Sequence, residues 1–231
     1  MKTIGLLGGM SWESTVGYYR AINEGVKARL GGLHSGQIAM VSVDFDPIEK
    51  LQHAGDWDAT ASLLSDAAVK VQNAGAEALL ICTNTMHKVA PQIEAALDIP
   101  ILHIADATAE VLLKQGVSRV GLLGTAFTME QDFYKGRLAD KFGLDVVVPN
   151  EADRAIVHRV IYQELCLGKT DAESKQEYLR IIDALAADGA EAVILGCTEI
   201  GLLVQQADTV VTLVDTTAIH AQAAVDFMLS E

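Results

Sequence analysis

Cysteine is scarce in this chain: Cys82, Cys166 and Cys197 stand far apart in 231 residues. Three such residues exclude a disulfide framework, a Cys-x-x-Cys redox pair and a zinc-like cluster, and they imply free thiols in a reducing compartment. Aromatic residues make up only 5% of the chain. The core must therefore be built from Ala, Val, Leu and Ile, which favours sheets covered by Ala-rich helices over an aromatic-rich sandwich. Positive charge is short as well. Lys and Arg total 17 against 31 Asp and Glu, the formal net charge is −14, and neither cation occurs after Arg180. Without a basic footprint, nucleic acid and an anionic membrane are excluded as partners. A small anionic metabolite stays compatible, because helix N-termini and backbone N–H groups bind carboxylates unaided.

No apolar run reaches the roughly 18–20 residues of a membrane span. The stretch 1–9 lacks the long apolar region of a signal peptide and leads straight into a strand-loop-helix pattern, so a cytoplasmic protein is expected. Nucleotide fingerprints are missing too. Gly5-Leu-Leu-Gly8-Gly9 is not GxGxxG, and no Gly-Lys-Ser/Thr completes a phosphate loop. These glycines read as tight turns with close helix–sheet packing.

What the chain does have is one stretch in two copies. Gly75-Ala-Glu-Ala-Leu-Leu-Ile-Cys82-Thr83-Asn84-Thr85 returns as Gly189-Ala-Glu-Ala-Val-Ile-Leu-Gly-Cys197-Thr198-Glu199. An apolar run closed by a polar cluster reads as a buried parallel strand opening into a loop, where open α/β sheets bind ligands. The repeat extends outward: Ile4-Gly-Leu-Leu-Gly8 is echoed by Val120-Gly-Leu-Leu-Gly124, and Ile104-Ala-Asp106 by Leu213-Val-Asp215. Two similar units follow, each with about four parallel strands. In the first, strands are expected at 4–7, 37–43, in the apolar run that leads to Cys82, and at 100–103, and an irregular connection at 44–57, a candidate lid. Cys197 lies one residue later in its repeat than Cys82, which reads as a small loop adjustment.

Two thiols in equivalent places suit a reaction that removes a proton from one face of a carbon acid and returns one to the other. One must be a thiolate and the other a thiol. Each strand end should face a helix N-terminus, whose partial positive charge lowers a thiol pKa. The developing enediolate needs donors, and Ser11, Thr83, Asn84, Thr85 and Thr198 are available. A Cys-Thr loop would also suit a thiol hydrolase with His87, His103, His158 or His220 as base, though a nucleophile needs no twin. A non-catalytic binder of small amino acids or dicarboxylates is the other alternative. Glu199 is a solvated cap or a pocket residue that tunes Cys197; Cys166, read as mid-helix, is more simply buried.

The motifs Gly8-Gly-Met-Ser11, Cys82-Thr-Asn-Thr-Met-His87, Leu102-His-Ile-Ala-Asp106, Leu123-Gly-Thr125 and Gly196-Cys-Thr-Glu199 together resemble the aspartate/glutamate racemase family over essentially the whole chain. The resemblance implies an α/β protein of two pseudo-symmetric Rossmann- or flavodoxin-like domains with the active site in the interdomain cleft. One domain would comprise 1–104 plus 208–231, the other 105–207. It implies a homodimer that uses no PLP, other cofactor or metal. Cys82 and Cys197 would be the acid/base pair, with Met10, Ser11, Gln52, Thr83, Asn84, Thr85, Thr198 and Glu199 lining the site around a small amino-acid substrate. Aspartate-specific relatives carry an Arg in the loop after the second strand and a Lys in the second half. Here the loop offers Gln52, with Lys50 the nearest cation, and Cys166 aligns with the Lys. A Gln lacks the bidentate charged clamp of Arg, so glutamate or another polar amino acid is expected ahead of aspartate. Wider relatives isomerise maleate, racemise hydantoins or decarboxylate arylmalonates. The decarboxylases need a single thiol, so the pair favours racemisation.

Overall fold

The computed structural model describes residues 1–231. By its internal contacts the chain divides into two compact units, Met1–Ile104 with His220–Glu231, and Ala105–Ile219.

The first unit begins with β1 (Ile4–Gly8), α1 (Trp12–Leu30) and β2 (Ile38–Ser42), then α2 (Phe45–Ala54), α3 (Trp57–Asn73) and β3 (Ala78–Ile81). A 3₁₀ turn (Thr85–Val89) leads into α4 (Ala90–Ala95) and then toward α5 (Ile104–Lys114). The strands are parallel in the order β2-β1-β3. β1 and β3 are buried along their whole length, as strands covered on both faces must be. One face packs Leu7, Leu79 and Ile81 with residues of α3 such as Leu64, Ala68 and Val71. The other packs Ile4, Leu6, Ala78, Leu80 and Cys82 with Tyr18, Ile22 and Val26 of α1.

Two expectations change here. The segment 44–57 is not an irregular lid: it holds α2. Asp44 caps that helix by accepting from the Asp46 N–H, and Gly55 closes it in the left-handed region at φ 74°. Pro47 sits in the first turn, where the missing N–H costs nothing. The fourth strand at 100–103 shrinks to one bridge, Leu79 with Ile101.

The second unit runs β4 (Arg119–Gly124), α6 (Ala126–Glu130), α7 (Asp132–Phe142), β5 (Asp145–Val147), α8 (Glu151–Gln163), a 3₁₀ turn (Leu165–Leu167) and α9 (Ala172–Ala187). There follow β6 (Ala192–Gly196), α10 (Ile200–Leu203), a 3₁₀ turn (Gln206–Asp208), β7 (Thr212–Asp215) and α11 (Thr216–Leu229). Its sheet is parallel in the order β5-β4-β6-β7. Asn150 and Asp171 cap α8 and α9 with their side chains, each worth about 1 kcal/mol. β7 pairs with β6 from Thr212 to Asp215, so 208–219 stays with this unit instead of returning to the first at 208 as expected. Only within α11, at His220, does the chain rejoin the first unit. There Ala221, Ala224, Val225 and Met228 pack beside α1. No helix is long and apolar enough to cross a membrane.

Candidate active site

In each sheet the chain places its second strand on one side of the first and its third on the other. The loops after the first and third strands of each sheet therefore flank a topological switch point, the usual place for a ligand in an open α/β sheet. In the first unit these loops are Gly9-Met10-Ser11 and Cys82-Thr83-Asn84. In the second they are Thr125-Ala126 and Cys197-Thr198-Glu199.

The first pair is tightly joined. The Cys82 N–H donates to the Leu7 carbonyl at 2.9 Å and the Val43 N–H to the Gly8 carbonyl at 2.9 Å, so both flanks of β1 stay in register to its end. Gly9 has φ 99°, and a Cβ there would overlap the Val43 carbonyl; no other residue fits this turn. The Met10–Ser11 peptide is cis. Ser14 Oγ donates to the Ser11 carbonyl at 3.0 Å and reaches the Cys82 carbonyl at 3.4 Å. Met10, Ser11, Thr83, Asn84 and Thr85 are all buried, and Cys82 is fully so. His87 donates from Nδ1 to the Thr83 carbonyl at 2.8 Å. Gln52 is buried on α2, while Lys50 on the same helix is exposed and paired to Asp46 at 2.6 Å.

In the second unit Cys197 Sγ donates to Glu199 Oε2 at 3.0 Å, and Thr198 Oγ1 donates to the same oxygen at 2.7 Å. Glu199 is buried, so it is no solvated cap. Thr125 caps α6 by accepting from the Thr128 N–H, and the Ala126 N–H donates to His158 Nδ1 at 3.1 Å. Cys166 lies on the 3₁₀ turn after α8, half-buried against the apolar cluster that holds Cys197. Asp215 caps α11 through the Thr217 and Ala218 N–H groups. Asp106 instead pairs with Arg137 and with Lys141.

Comparison with known proteins agrees with this arrangement. The family described as Asp/Glu/Hydantoin racemase matches residues 7–224. The chain belongs to that family. It is 56% identical to a Yersinia pestis protein whose crystal structure is provisionally described as an Asp/Glu racemase, with a TM-score of 0.92 and both chains fully covered. It is 34% identical to an aspartate racemase homologue from Pyrococcus horikoshii OT3, with a TM-score of 0.86 and both chains again fully covered. The broad specificity amino-acid racemase RacX of Bacillus subtilis (strain 168) is 24% identical over 177 residues, 76% of this chain and 75% of that protein.

One expectation about this racemase-family site is reversed. The thiols were expected to have lowered pKa values, and both are raised. Burial alone pushes the Cys82 thiol up. At Cys197 burial comes first, and the negative charge of Glu199 adds to it. The loops run into a five-residue 3₁₀ turn and a four-residue helix, too short for a helix dipole to offset desolvation. Reasoning from sequence also left Ser14 and Thr125 out of the site. Thr125 alone had a signal, its place after β4 matching that of Gly9 after β1.

Proposed function

We propose that this protein racemises a small polar α-amino acid without PLP, with Cys82 and Cys197 as the acid/base pair. The observation that carries the reading is that in each unit a buried cysteine directly follows the third strand, beside the switch point. At rest both groups are thiols. Glu199 accepts from Cys197 and supplies a route for its proton. The resulting thiolate, more basic for being buried, abstracts the α-proton of one enantiomer, narrowing the pKa gap to a weak carbon acid. The electron pair passes to the substrate carboxylate as an enediolate, for which the hydroxyls of Ser11, Thr83, Thr85 and Thr198 and the Asn84 amide are the available donors. Cys82 delivers its thiol proton to the opposite face. The enzyme is left with Cys197 as thiol and Cys82 as thiolate, the form that takes the other enantiomer.

Glutamate or another polar amino acid is the proposed substrate ahead of aspartate. Buried Gln52 supports this, since the nearby cation, Lys50, is exposed and held by Asp46. A thiol hydrolase is less well supported. His87, the histidine nearest Cys82 in the chain, has both ring nitrogens engaged with backbone. We also propose, from the family resemblance, that the active form is a homodimer.

The test is proton NMR in D₂O with PLP-free, metal-free protein and L-aspartate, L-glutamate and L-homoserine in separate tubes. Loss of the Cα–H signal with appearance of the D-enantiomer is expected, fastest away from aspartate. Binding with unchanged Cα–H bonds would replace this reading with that of a binding protein.

A further inference from the structure

One edge of the first unit's sheet is open and carries none of the usual guards. In the order β2-β1-β3, β2 is the outer strand on one side, while β3 on the other is met by the bridge from Leu79 to Ile101. The Gln37 carbonyl and the Val43 N–H both bond to β1. Backbone groups alternate sides along a strand, so those of 39 and 41 also face β1, and those of Ile38, Met40 and Ser42 face outward. Sheet edges are ordinarily protected by charge, proline or brevity. The second sheet follows that rule: its edge strand β5 has three residues and opens with Asp145, and β7 closes with Asp215. β2 is Ile-Ala-Met-Val-Ser, five residues with neither charge nor proline.

The same edge borders an apolar groove. Ile38 packs toward α1, so Met40 and Ser42 share that face of the sheet. With Trp12, Thr15, Val16 and Tyr19 of α1 they line a space of about 260 Å³. Trp12, Val16, Tyr19 and Met40 are each 46–63% exposed. Four large apolar side chains held side by side in water mark an interaction surface. The charges beside the groove complement one another across two helical turns of α1. Glu13 has a carboxylate oxygen without a hydrogen-bond partner, and Arg20, seven residues on, is exposed and joined in no ion pair.

We propose that β2 is the seam of a symmetric dimer, to which a second copy of this chain adds its own β2, antiparallel, with Met40 opposite Met40. This rests on the homodimer proposed above and not on the reaction. The register is the one in which the edge completes itself. Met40 exchanges both backbone bonds with its twin, and Ile38 does so with Ser42 of the second copy. No outward group of the strand is left over, whereas any shifted self-pairing leaves one of the three residues unpaired. The two-fold axis stands perpendicular to the sheet, so both α1 helices lie on one face, antiparallel across the seam. The exposed faces of Trp12, Val16, Tyr19 and Met40 then close over one another, and Glu13 of each copy meets Arg20 of its twin. Two chains of net charge −14 repel, so contact belongs on a strand that carries no charge. An unrelated strand would satisfy the backbone alone; a second copy also matches the apolar face and the charges.

The experiment weighs the full chain by light scattering and sedimentation over a micromolar concentration series. The wild type is expected at twice the mass of one chain. Met40→Lys, which sets two ammonium groups against each other at the axis, should raise the dimer Kd more than about 100-fold. Val210→Lys, at a fully exposed site in the second unit, should leave it unchanged. Met40→Cys gives a second, independent reading. Directly opposite residues of a hydrogen-bonded antiparallel pair have Cα atoms about 5.5 Å apart, within disulfide range. Diamide should therefore trap a covalent dimer of Met40→Cys on a non-reducing gel, and none of Val210→Cys or the wild type. That result decides the matter even if Met40→Lys does not fold. A dimeric wild type whose Met40→Lys variant dissociates no more readily, or a Met40→Cys chain that stays uncross-linked, would put the dimer on another face and overturn the proposal. A monomeric wild type would overturn it together with the homodimer, leaving the open edge to the strand of another protein. Racemisation is read separately by NMR and stands or falls without this seam.

Discussion

Cys82 and Cys197 close equivalent strands, yet the ladders place them differently. Leu7 pairs with Ile81 and Gly124 with Gly196. When Gly5-Leu-Leu-Gly8 is laid on Gly121-Leu-Leu-Gly124, the counterpart of Cys82 is Gly196, and Cys197 comes one residue later. Side chains alternate across a strand, so the offset changes the face. Cys82 continues the row Ala78 and Leu80, packed with α1. Cys197 continues the row Val193 and Leu195, packed with Tyr178, Ile181 and Ile182 of α9. α9 leads into the second unit's third strand as α3 leads into that of the first, so in the frame of the repeat the cysteines lie on opposite faces. Their surroundings differ accordingly. Cys197 has a carboxylate within hydrogen-bond reach, whereas the loop of Cys82 is held by a hydroxyl and an imidazole. The repeat thus supplies two thiols that are chemically unlike. That suits a pair of which one is a thiolate while the other is a thiol.

The strongest test of that difference is removal of each thiol in turn. Cys82→Ser and Cys197→Ser should each lower racemisation by about 10²–10⁴-fold, the usual weight of a general acid or base, while the fold survives. Each variant should retain Cα–H exchange in D₂O with only one enantiomer, and the two variants should retain opposite ones. Exchange of the same enantiomer by both would break the comparison. So would racemisation left intact by either loss.

Next comes acid. Burial lowers the His220 pKa from 6.5 to about 4, against a smaller opposing effect of its bond to the Leu102 carbonyl. Tyr18 and His87 are the titratable side chains in ring contact with it. A histidine depressed in the folded state lets the unfolded state bind the proton first. Stability therefore falls as pH drops from about 6.5 toward 4, by roughly 3 kcal/mol, and levels off below. The second unit has a different window. At Asp106 burial opposes ionisation, but Arg137 and Lys141 outweigh it; at Asp153 Arg180 outweighs burial. Both carboxyls are held below 3.8, so their contribution is present above that value and lost as pH falls through the lowered one. Hydrogen exchange at pH 5 against pH 7 should therefore speed up in Met1–Ile104 and leave β4–β6 protected. His220→Gln should flatten the difference, and equal loosening of both units would count against it.

The repeat and the inner strands were legible because short apolar runs ending in Cys-Thr can hardly be anything else. The helix at 45–54 was hidden by Pro47 and Gly55, which read as loop punctuation but are a first-turn proline and a C-terminal cap. The identity of the reactive loops was likewise legible, since Cys82 and Cys197 mark themselves. The direction of their pKa shifts was not, because burial of Cys82 depends on α1 and α11, from the two ends of the chain. For the same reason nothing local in the sequence linked His87 to His220, or separated the faces on which the cysteines lie.

The one-residue offset itself can be tested at Gly196. A Cβ there would lie 2.6 Å from the Leu123 carbonyl oxygen and 2.8 Å from Leu122 Cδ1, so the position equivalent to Cys82 admits no side chain. Gly196→Ala should cost about 1–3 kcal/mol, read as a lowered denaturant midpoint with an unchanged slope. Gly17→Ala, on α1 with open space around it, should gain several tenths of a kcal/mol to about 1. If Gly196→Ala were as benign, the offset would have no steric cause.

The smallest expected effect falls on Glu199. Glu199→Gln keeps a carbonyl that can accept from Cys197 but cannot take its proton, so a drop of about tenfold in kcat is expected, near the low end for an acid/base group. The pH dependence carries more information than the rate. The Glu199 charge holds the Cys197 thiol up, and its loss lets that pKa fall. With the enantiomer whose proton Cys197 removes, the acid limb of the kcat profile, which reports Cys197 as base, should then move to lower pH. With the opposite enantiomer, whose proton Cys82 removes, the acid limb should stay where it is, because it reports Cys82 and burial alone sets that thiol; there Cys197 is the acid, and the alkaline limb moves instead. Equal displacement with both enantiomers would mean that Glu199 acts on the substrate common to both directions and not on one thiol, and the chemical difference between the two cysteines would then rest on their packing alone.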